Sequence, residues 1–412
     1  AIDLKGDLDV SGGVLDITAY DVSIAGIDLA GTANIKLAED PKPGQLPMTL
    51  LVEGETSGDV SKDTVLRFWP ETLGADARNF ARDKISGGTV TAASYKIDLK
   101  PDSIGRDRMR DEDIEVRFVV AGTSVKFMEQ LPPVSEASGS ARLSGNGLFV
   151  QLNEGTYGEW QLTEGSVQFP KFKPKGELFR VYAKGSGPVV DAMRNIAKSL
   201  EEDGEAAFDP ERFTGEATAT FEMFRPALND VPAEDLDINV TAEITDAALA
   251  DAIPGLDMTG AEASLTLEDN RLVVTGFGDL GPAPVQFTWR DQLDDNGAPA
   301  DLSASAFISP DFLNRFGIVG RAYVSEDIPV ELQAQVNASG VEALEVGFEL
   351  QQSRIDVSEI GYIKPAGEPA RATLSYDALS ESTASTFRYM SEEARFDGDI
   401  ELALNGGLQS LT

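Results

Sequence analysis

Three aspartate pairs with two-residue spacing, Asp111/Asp113, Asp235/Asp237 and Asp397/Asp399, are the groups most suggestive of bond-breaking chemistry. On a strand that spacing puts both carboxylates on one face. Two such groups can split a glycosidic bond, one as acid and the other as base or nucleophile. Each pair also lies at a strand start among Ile, Leu or Gly, so a solvated outer face explains it better. The sequence has no histidine and no cysteine, which excludes Ser-His triads, thiol nucleophiles and zinc sites built on those ligands. The Gly-rich stretches 145–147 and 185–187 match neither a phosphate loop nor a dinucleotide fingerprint, and no nucleophile elbow occurs. Residues 292–297 resemble the start of a calcium loop, but the first ligand position is Gln292 and the closing glutamate is replaced by Ser303, so a hairpin turn is expected. The sequence therefore points away from an enzyme and calls for no cofactor and no metal.

Charge narrows the partners. With 70 acidic and 34 basic side chains the net charge is −36, and a nucleic-acid partner, which needs a basic footprint, is not expected. The one compact basic cluster with an aromatic is Lys171-Phe172-Lys173-Pro174-Lys175. It has two readings, contact with anionic lipid head groups or lysines that blunt an edge strand. The chain begins Ala1-Ile2-Asp3-Leu4 and holds no apolar run near the ~20 residues of a membrane span. A soluble fragment or mature segment of something longer is expected.

The elements that must carry these residues are mostly strands. Apolar side chains alternate at Ile114/Val116/Phe118/Val120, Leu236/Ile238/Val240/Ala242/Ile244 and Val330/Leu332/Ala334/Val336, the period of a sheet with one apolar face. Turn chemistry separates them, as at Gly145-Asn146-Gly147. One helix is expected to open near Trp69-Pro70-Glu71 and to end at Gly87-Gly88. A second is expected from about Pro188 to Gly204, with weaker candidates over 376–390 and 310–316. Arg78 and Arg194 are expected on exposed helix faces.

A helix-plus-sheet module is repeated. Ala77-Arg78-Asn79-Phe80-Ala81-Arg82 and Met193-Arg194-Asn195-Ile196-Ala197-Lys198 lie 116 positions apart, and strands led by Asp113 and Asp235 lie 122 apart. The hairpins that follow place Asn146 and Asn270 at the same turn position. The expected division is 1–66, a strand segment; 67–187 and 188–309, two repeats; and 310–412, a third, divergent one. About twenty to twenty-five strands are too many for two or three helices to cover. Sandwiches, barrels or an open trough could each dispose of the apolar face.

Several stretches resemble the AsmA-like superfamily, specifically its large YhdP-type members from Gram-negative bacteria, with a more distant likeness to TamB. They are Phe68-Trp69-Pro70-Glu71, Leu131-Pro132-Pro133-Val134, Ser138-Gly139-Ser140-Ala141-Arg142-Leu143 and Leu162-Thr163-Glu164-Gly165-Ser166-Val167-Gln168-Phe169. Ala183-Lys184-Gly185-Ser186-Gly187-Pro188, Gly215-Glu216-Ala217-Thr218-Ala219 and the run from Ala248 to Leu256 complete the set. The resemblance implies an elongated, twisted antiparallel β-sheet curled into a groove, with two or three short amphipathic helices. It implies a periplasmic location, an inner-membrane anchor outside this chain, and passage of phospholipid toward the outer membrane, with partner proteins possible at either membrane. On this reading Val116, Phe118, Val120, Leu148, Val150, Ile238, Val240, Leu272 and Val274 line the groove and touch acyl chains. The alternative is a structural or adhesive β-scaffold whose apolar faces are sealed in sandwiches.

Overall fold

The structure, a computed structural model, describes residues 2–24, 27–69, 75–103, 109–127, 132–199, 208–228, 231–232, 235–253, 255–293, 298–316, 320–337, 340–378, 385–402 and 408–411. The fold is mostly β and its sheet is antiparallel, as the sequence predicts. The chain divides into two compact units, residues 1–187 with 220–238, and residues 188–219 with 239–412.

In the first unit the strands are β1 (Ile2–Asp9), β2 (Val14–Ile24), β3 (Ile27–Leu37), β4 (Met48–Ser57) and the two-residue β5 (Val60–Ser61). They continue with β6 (Ile85–Leu99), β7 (Ile114–Val125), β8 (Val134–Ser144), β9 (Leu148–Tyr157), β10 (Trp160–Phe169) and β11 (Leu178–Pro188). Apart from β5, which lies against β6, each pairs antiparallel with its sequence neighbour from β1 to β11. At ~4.8 Å per strand these ten strands extend about 43 Å across the sheet. The register breaks at Lys5/Gly6 in β1 and Ile17/Tyr20 in β2, and again at Val90/Ala92, Val120/Thr123, Ser135/Ser138 and Leu162/Glu164 in β6, β7, β8 and β10. Each such bulge bends its strand and increases the local twist.

Two short helices fill the β5–β6 connection. The first, α1 (Lys62–Phe68), was not expected; Ser61 caps it by accepting from the Thr64 amide at 3.3 Å. The second, α2 (Ala75–Lys84), stops earlier than expected, and Gly87 and Gly88 lie inside β6 with φ of 64° and 77°. The two helices close each other's ends. Arg78 of α2 donates to the carbonyls of Leu66 and Trp69 at 3.2 and 3.0 Å, while Lys62 of α1 donates to the Ile85 carbonyl at 2.8 Å. Arg78 is thus a half-buried tie between helices, not the exposed residue its position in the sequence suggests. The expected start at 70–71 lies outside the described residues.

The second unit holds α3 (Val189–Ser199), where Val189 and Ala197 are buried and Arg194 is exposed and paired with Glu211 at 2.7 Å. β12 (Phe213–Pro226) and β13 (Asp237–Ile253) are divided between the units. The strands that follow are β14 (Leu256–Glu268), β15 (Arg271–Leu280), β16 (Ala283–Gln292), β17 (Ala300–Ile308), β18 (Ile328–Asn337) and β19 (Gly340–Glu349). After the small hairpin β20 (Ile355–Val357) and β21 (Tyr362–Lys364) come β22 (Ala370–Asp377), β23 (Ser385–Ser391), β24 (Arg395–Leu402) and β25 (Leu408–Leu411). From β13 onward each main strand pairs antiparallel with the next, β19 passing directly to β22. The helix expected over 376–390 is not formed by the described residues, and 379–384 lie outside them. Its ends belong to β22 and β23, whose Ser375 and Thr386 face each other, because Phe387 and Tyr389 alternate with polar neighbours at the strand period. The candidate at 310–316 does form, as a short 3-10 helix (Phe312–Phe316), followed by α4 (Gly320–Tyr323).

The repeat is visible in strained backbone. Gly122 and Asp246, at φ 65° and 49°, occupy matching bulges of β7 and β13, and Glu136 and Gly260, at φ 52° and 58°, matching bulges of β8 and β14. The turn partners Asn146 and Asn270 also correspond, their carbonyls accepting from Phe172 and Leu293 at 2.8 and 2.7 Å.

Candidate functional site

Strand pairing sorts the side chains of each unit onto two unlike faces. In the first unit one row runs Leu4, Tyr20, Gly31, Gly54, Tyr95, Val116, Leu143, Leu148, Phe169 across successive strands. The next runs Ile2, Val22, Leu29, Thr56, Ala93, Phe118, Ala141, Val150, Val167, Val181. A row on the opposite face reads Asp3, Asp21, Ala30, Glu55, Ser94, Arg117, Arg142, Phe149, Gln168, Arg180. One face is therefore greasy across ten strands and the other is polar. On the polar face Lys96 pairs with Glu53 at 2.5 Å and Arg142 with Glu115 at 2.8 Å. Hydrogen bonding from Arg142, helped by Arg117, holds the Glu115 carboxyl below its ordinary pKa.

The second unit repeats the pattern. Ala242, Leu265, Val274, Trp289, Leu302, Ala334, Leu344, Tyr376 form one apolar row, and Ile244, Ala263, Gly276, Phe287, Ala304, Leu332, Val346, Leu374, Phe387 the next. The opposite face carries Glu243, Ser264, Thr275, Thr288, Ser303, Gln333, Glu345, Ser375, Thr386 and Asp399.

The large side chains of the apolar rows are half-buried or exposed. From Tyr20 to Val181 in the first unit and across both rows of the second they are of intermediate burial, apart from small residues such as Ala141 and Ala334. A sandwich would bury them, because a second sheet ~10 Å away removes its partner's inner face from water.

All nine residues predicted to line a groove are half-buried. Val116, Phe118, Leu148 and Val150 fall in the two rows of the first unit, and Val120 continues the face between Val90 and Gly139. Val240 leads through Leu267 to Leu272, with Val274 in the adjoining row. Ile238 lies two residues before Val240 on the same face of β13. Tyr20, Tyr95, Phe287 and Trp289 also stand in these rows, and for Tyr95, Phe287 and Trp289 the signal in the sequence is alternation with polar neighbours.

Tyr20 and Tyr95 reach toward each other across the glycines. Their hydroxyls are 2.6 Å apart, above Gly31 and Gly54, where an added Cβ would come within 2.6 and 2.5 Å of the Tyr20 hydroxyl. Burial and the partner hydroxyl raise the Tyr95 pKa.

Among the described residues a sealed core occupies one end of the second unit's sheet. Leu256, Ile308, Phe312, Ile328, Leu350, Ile355 and Tyr389 pack there beneath the 3-10 helix and the β20–β21 hairpin. The hairpin is anchored by Lys364, 1% exposed, whose ammonium donates to the carbonyls of Ser353, Pro365 and Gln351 at 2.9, 3.0 and 3.3 Å. Burial lowers its pKa.

The acidic pairs divide. Asp113 is buried, against expectation, and accepts from the Ser103 hydroxyl and the Arg110 amide at 2.9 Å each, while Asp111 takes the Ser144 hydroxyl at 2.8 Å. Both carboxylates tie loops. Asp235, Asp237, Asp397 and Asp399 are exposed, as the solvated reading holds. Among the described residues no group of three or more His, Cys, Asp or Glu could hold a metal ion, and no helix is long and apolar enough to cross a membrane. Most of the calcium-like stretch, 294–297, lies outside the described residues.

A protein-family model described as YhdP protein matches residues 2–410. No curated protein matches the chain.

Proposed function

The chain belongs to the YhdP family, and we propose that it is a lipid-conducting segment, with the apolar rows as the floor along which phospholipid acyl chains move between inner and outer membranes. One observation carries this reading: the apolar side chains form continuous rows over many strands, yet their large members stay half-exposed. Adjacent rows are two residues apart, about 7 Å, so two rows give a strip wide enough for acyl chains. Each methylene moved from water onto such a surface contributes up to ~0.8 kcal/mol, so a chain of ordinary length is held without any catalytic group. Head groups stay in water, and successive rows offer similar sites, which lets lipid slide. The family resemblance supports a periplasmic location, inner-membrane anchoring through another part of the protein, and membrane partners at the ends. No enzymatic step is proposed.

Native mass spectrometry of protein purified without detergent tests this reading. Co-purifying phospholipid is expected. Lipid-free protein that also fails to load when offered phospholipid vesicles would favour the sealed scaffold, for which the closed core at one end of the second unit is the supporting observation.

A further inference from the structure

The basic cluster at 171–175 lies where one end of the first unit's apolar rows meets water. It does not blunt an edge, since β10, the strand it follows, is paired on both sides. Asn146, itself buried, fixes the loop by accepting from the Lys173 amide at 3.0 Å and donating to the Lys173 carbonyl at 2.9 Å. Lys171, Lys173 and Lys175 are exposed. Below them Phe169, the last member of its row, lies 6.0 Å from Phe172 and stacks on Phe179 at 4.3 Å.

Arg225 completes the arrangement. It shares a strand face with Phe221 and Met223, and its guanidinium lies 5.7 Å from the centre of the Phe179 ring. One NH₂ group donates to the Leu228 carbonyl at 3.1 Å, but the Nε atom is buried with no hydrogen-bond partner. An unmet buried donor on a cation is costly, and a charged acceptor would relieve it. Leu228 in turn lies beside the loop, since a Cβ on Gly176 would come within 3.8 Å of it. Two neighbouring acids are already engaged, Glu222 with Arg180 on the polar face and Asp111 with the Ser144 hydroxyl and the Asn146 amide.

We propose that Arg225 and the lysines of 171–175 bind the phosphate of a lipid head group whose acyl chains lie against Phe169 and Phe179. This rests on the lipid-groove reading and adds a place and a chemistry for the head group. Arginine on an aromatic face suits a phosphate oxygen acceptor, and lysines around it add charge without fixed geometry.

The test compares binding of three probes to the whole chain: dihexanoyl phosphatidylglycerol, dihexanoylglycerol with the same chains and no phosphate, and inorganic phosphate. Phosphatidylglycerol should bind at least tenfold more tightly than the other two and lose that advantage in high salt. The triple variant K171Q/K173Q/K175Q and R225Q should each lower its affinity at least tenfold, toward that of dihexanoylglycerol, whereas K171R/K173R/K175R should retain it. If R225Q unfolds, the exposed lysine triple carries the test. Equal affinity in wild type and the Gln triple would overturn the site but leave the groove standing. Inorganic phosphate binding as tightly as the phospholipid would overturn the lipid as its source. Failure of both lipids to bind would overturn the groove reading itself.

Discussion

Placing a carboxylate in the middle of the floor distinguishes an open face from a sealed one. Phe118 lies between Ala93 and Ala141 on the neighbouring strands and is half-buried, so Phe118→Glu removes one large side chain without crowding another. Losing the half-burial of a phenylalanine costs about 1.5 kcal/mol. The new carboxylate can turn to water if the face is open and then adds little. In a sealed core the same charge costs several kcal/mol more. For a unit of this size 1 kcal/mol corresponds to roughly 2–4 °C in Tm, so the open face predicts a fall of about 3–6 °C with native circular dichroism. Phospholipid occupancy, read by native mass spectrometry after loading from vesicles, should drop several-fold. Arg117→Glu, one residue away on the polar face, should leave occupancy unchanged. Unfolding of Phe118→Glu would refute the open face, and a folded variant with undiminished lipid would refute the floor.

Other perturbations test particular contacts. Gly54→Ala should destabilise the first unit by about 1–3 kcal/mol in urea unfolding, since its Cβ would meet the Ala30 carbonyl at 2.6 Å as well as both tyrosine hydroxyls. Tyr95→Phe should cost ~1 kcal/mol at neutral pH. The Tyr95 pKa is raised above its ordinary 10.0 by folding, so its contribution is complete below that pH and is lost as the pH rises beyond it; the variant should flatten the alkaline fall seen in a pH series of urea midpoints. Lys364→Met leaves three carbonyls without their donor and should cost about 2–4 kcal/mol, appearing as faster amide exchange in the β20–β21 hairpin.

The strands and the face each residue takes were legible because alternation is local: Val116, Phe118 and Val120 declare a common face before any partner strand is known. Register across strands was not, so Tyr20 and Tyr95, 75 positions apart, could not be paired from sequence. Asp113 was misread because its partners, Ser103 and the Arg110 amide, are brought to it by the shape of a loop and not by spacing. The segment 376–390 offered apolar positions compatible with either period, and strand pairing decided it. Ser61 as a cap for α1 was a readable signal, a serine two residues before Asp63, that the stronger helix beside it obscured. Nothing local marks the Nε of Arg225 as unmet, since that depends on the ring of Phe179 and on what the turn at Leu228 leaves free.

The central claim is that one face of the sheet touches lipid and the other does not, and adjacent residues of β7 test it most directly. A photo-reactive benzoylphenylalanine placed in turn at Phe118 and at Arg117 should, on irradiation in cells or with loaded protein, capture phospholipid from the first position and not from the second. Equal capture from both positions, or capture from Arg117 alone, would contradict the account.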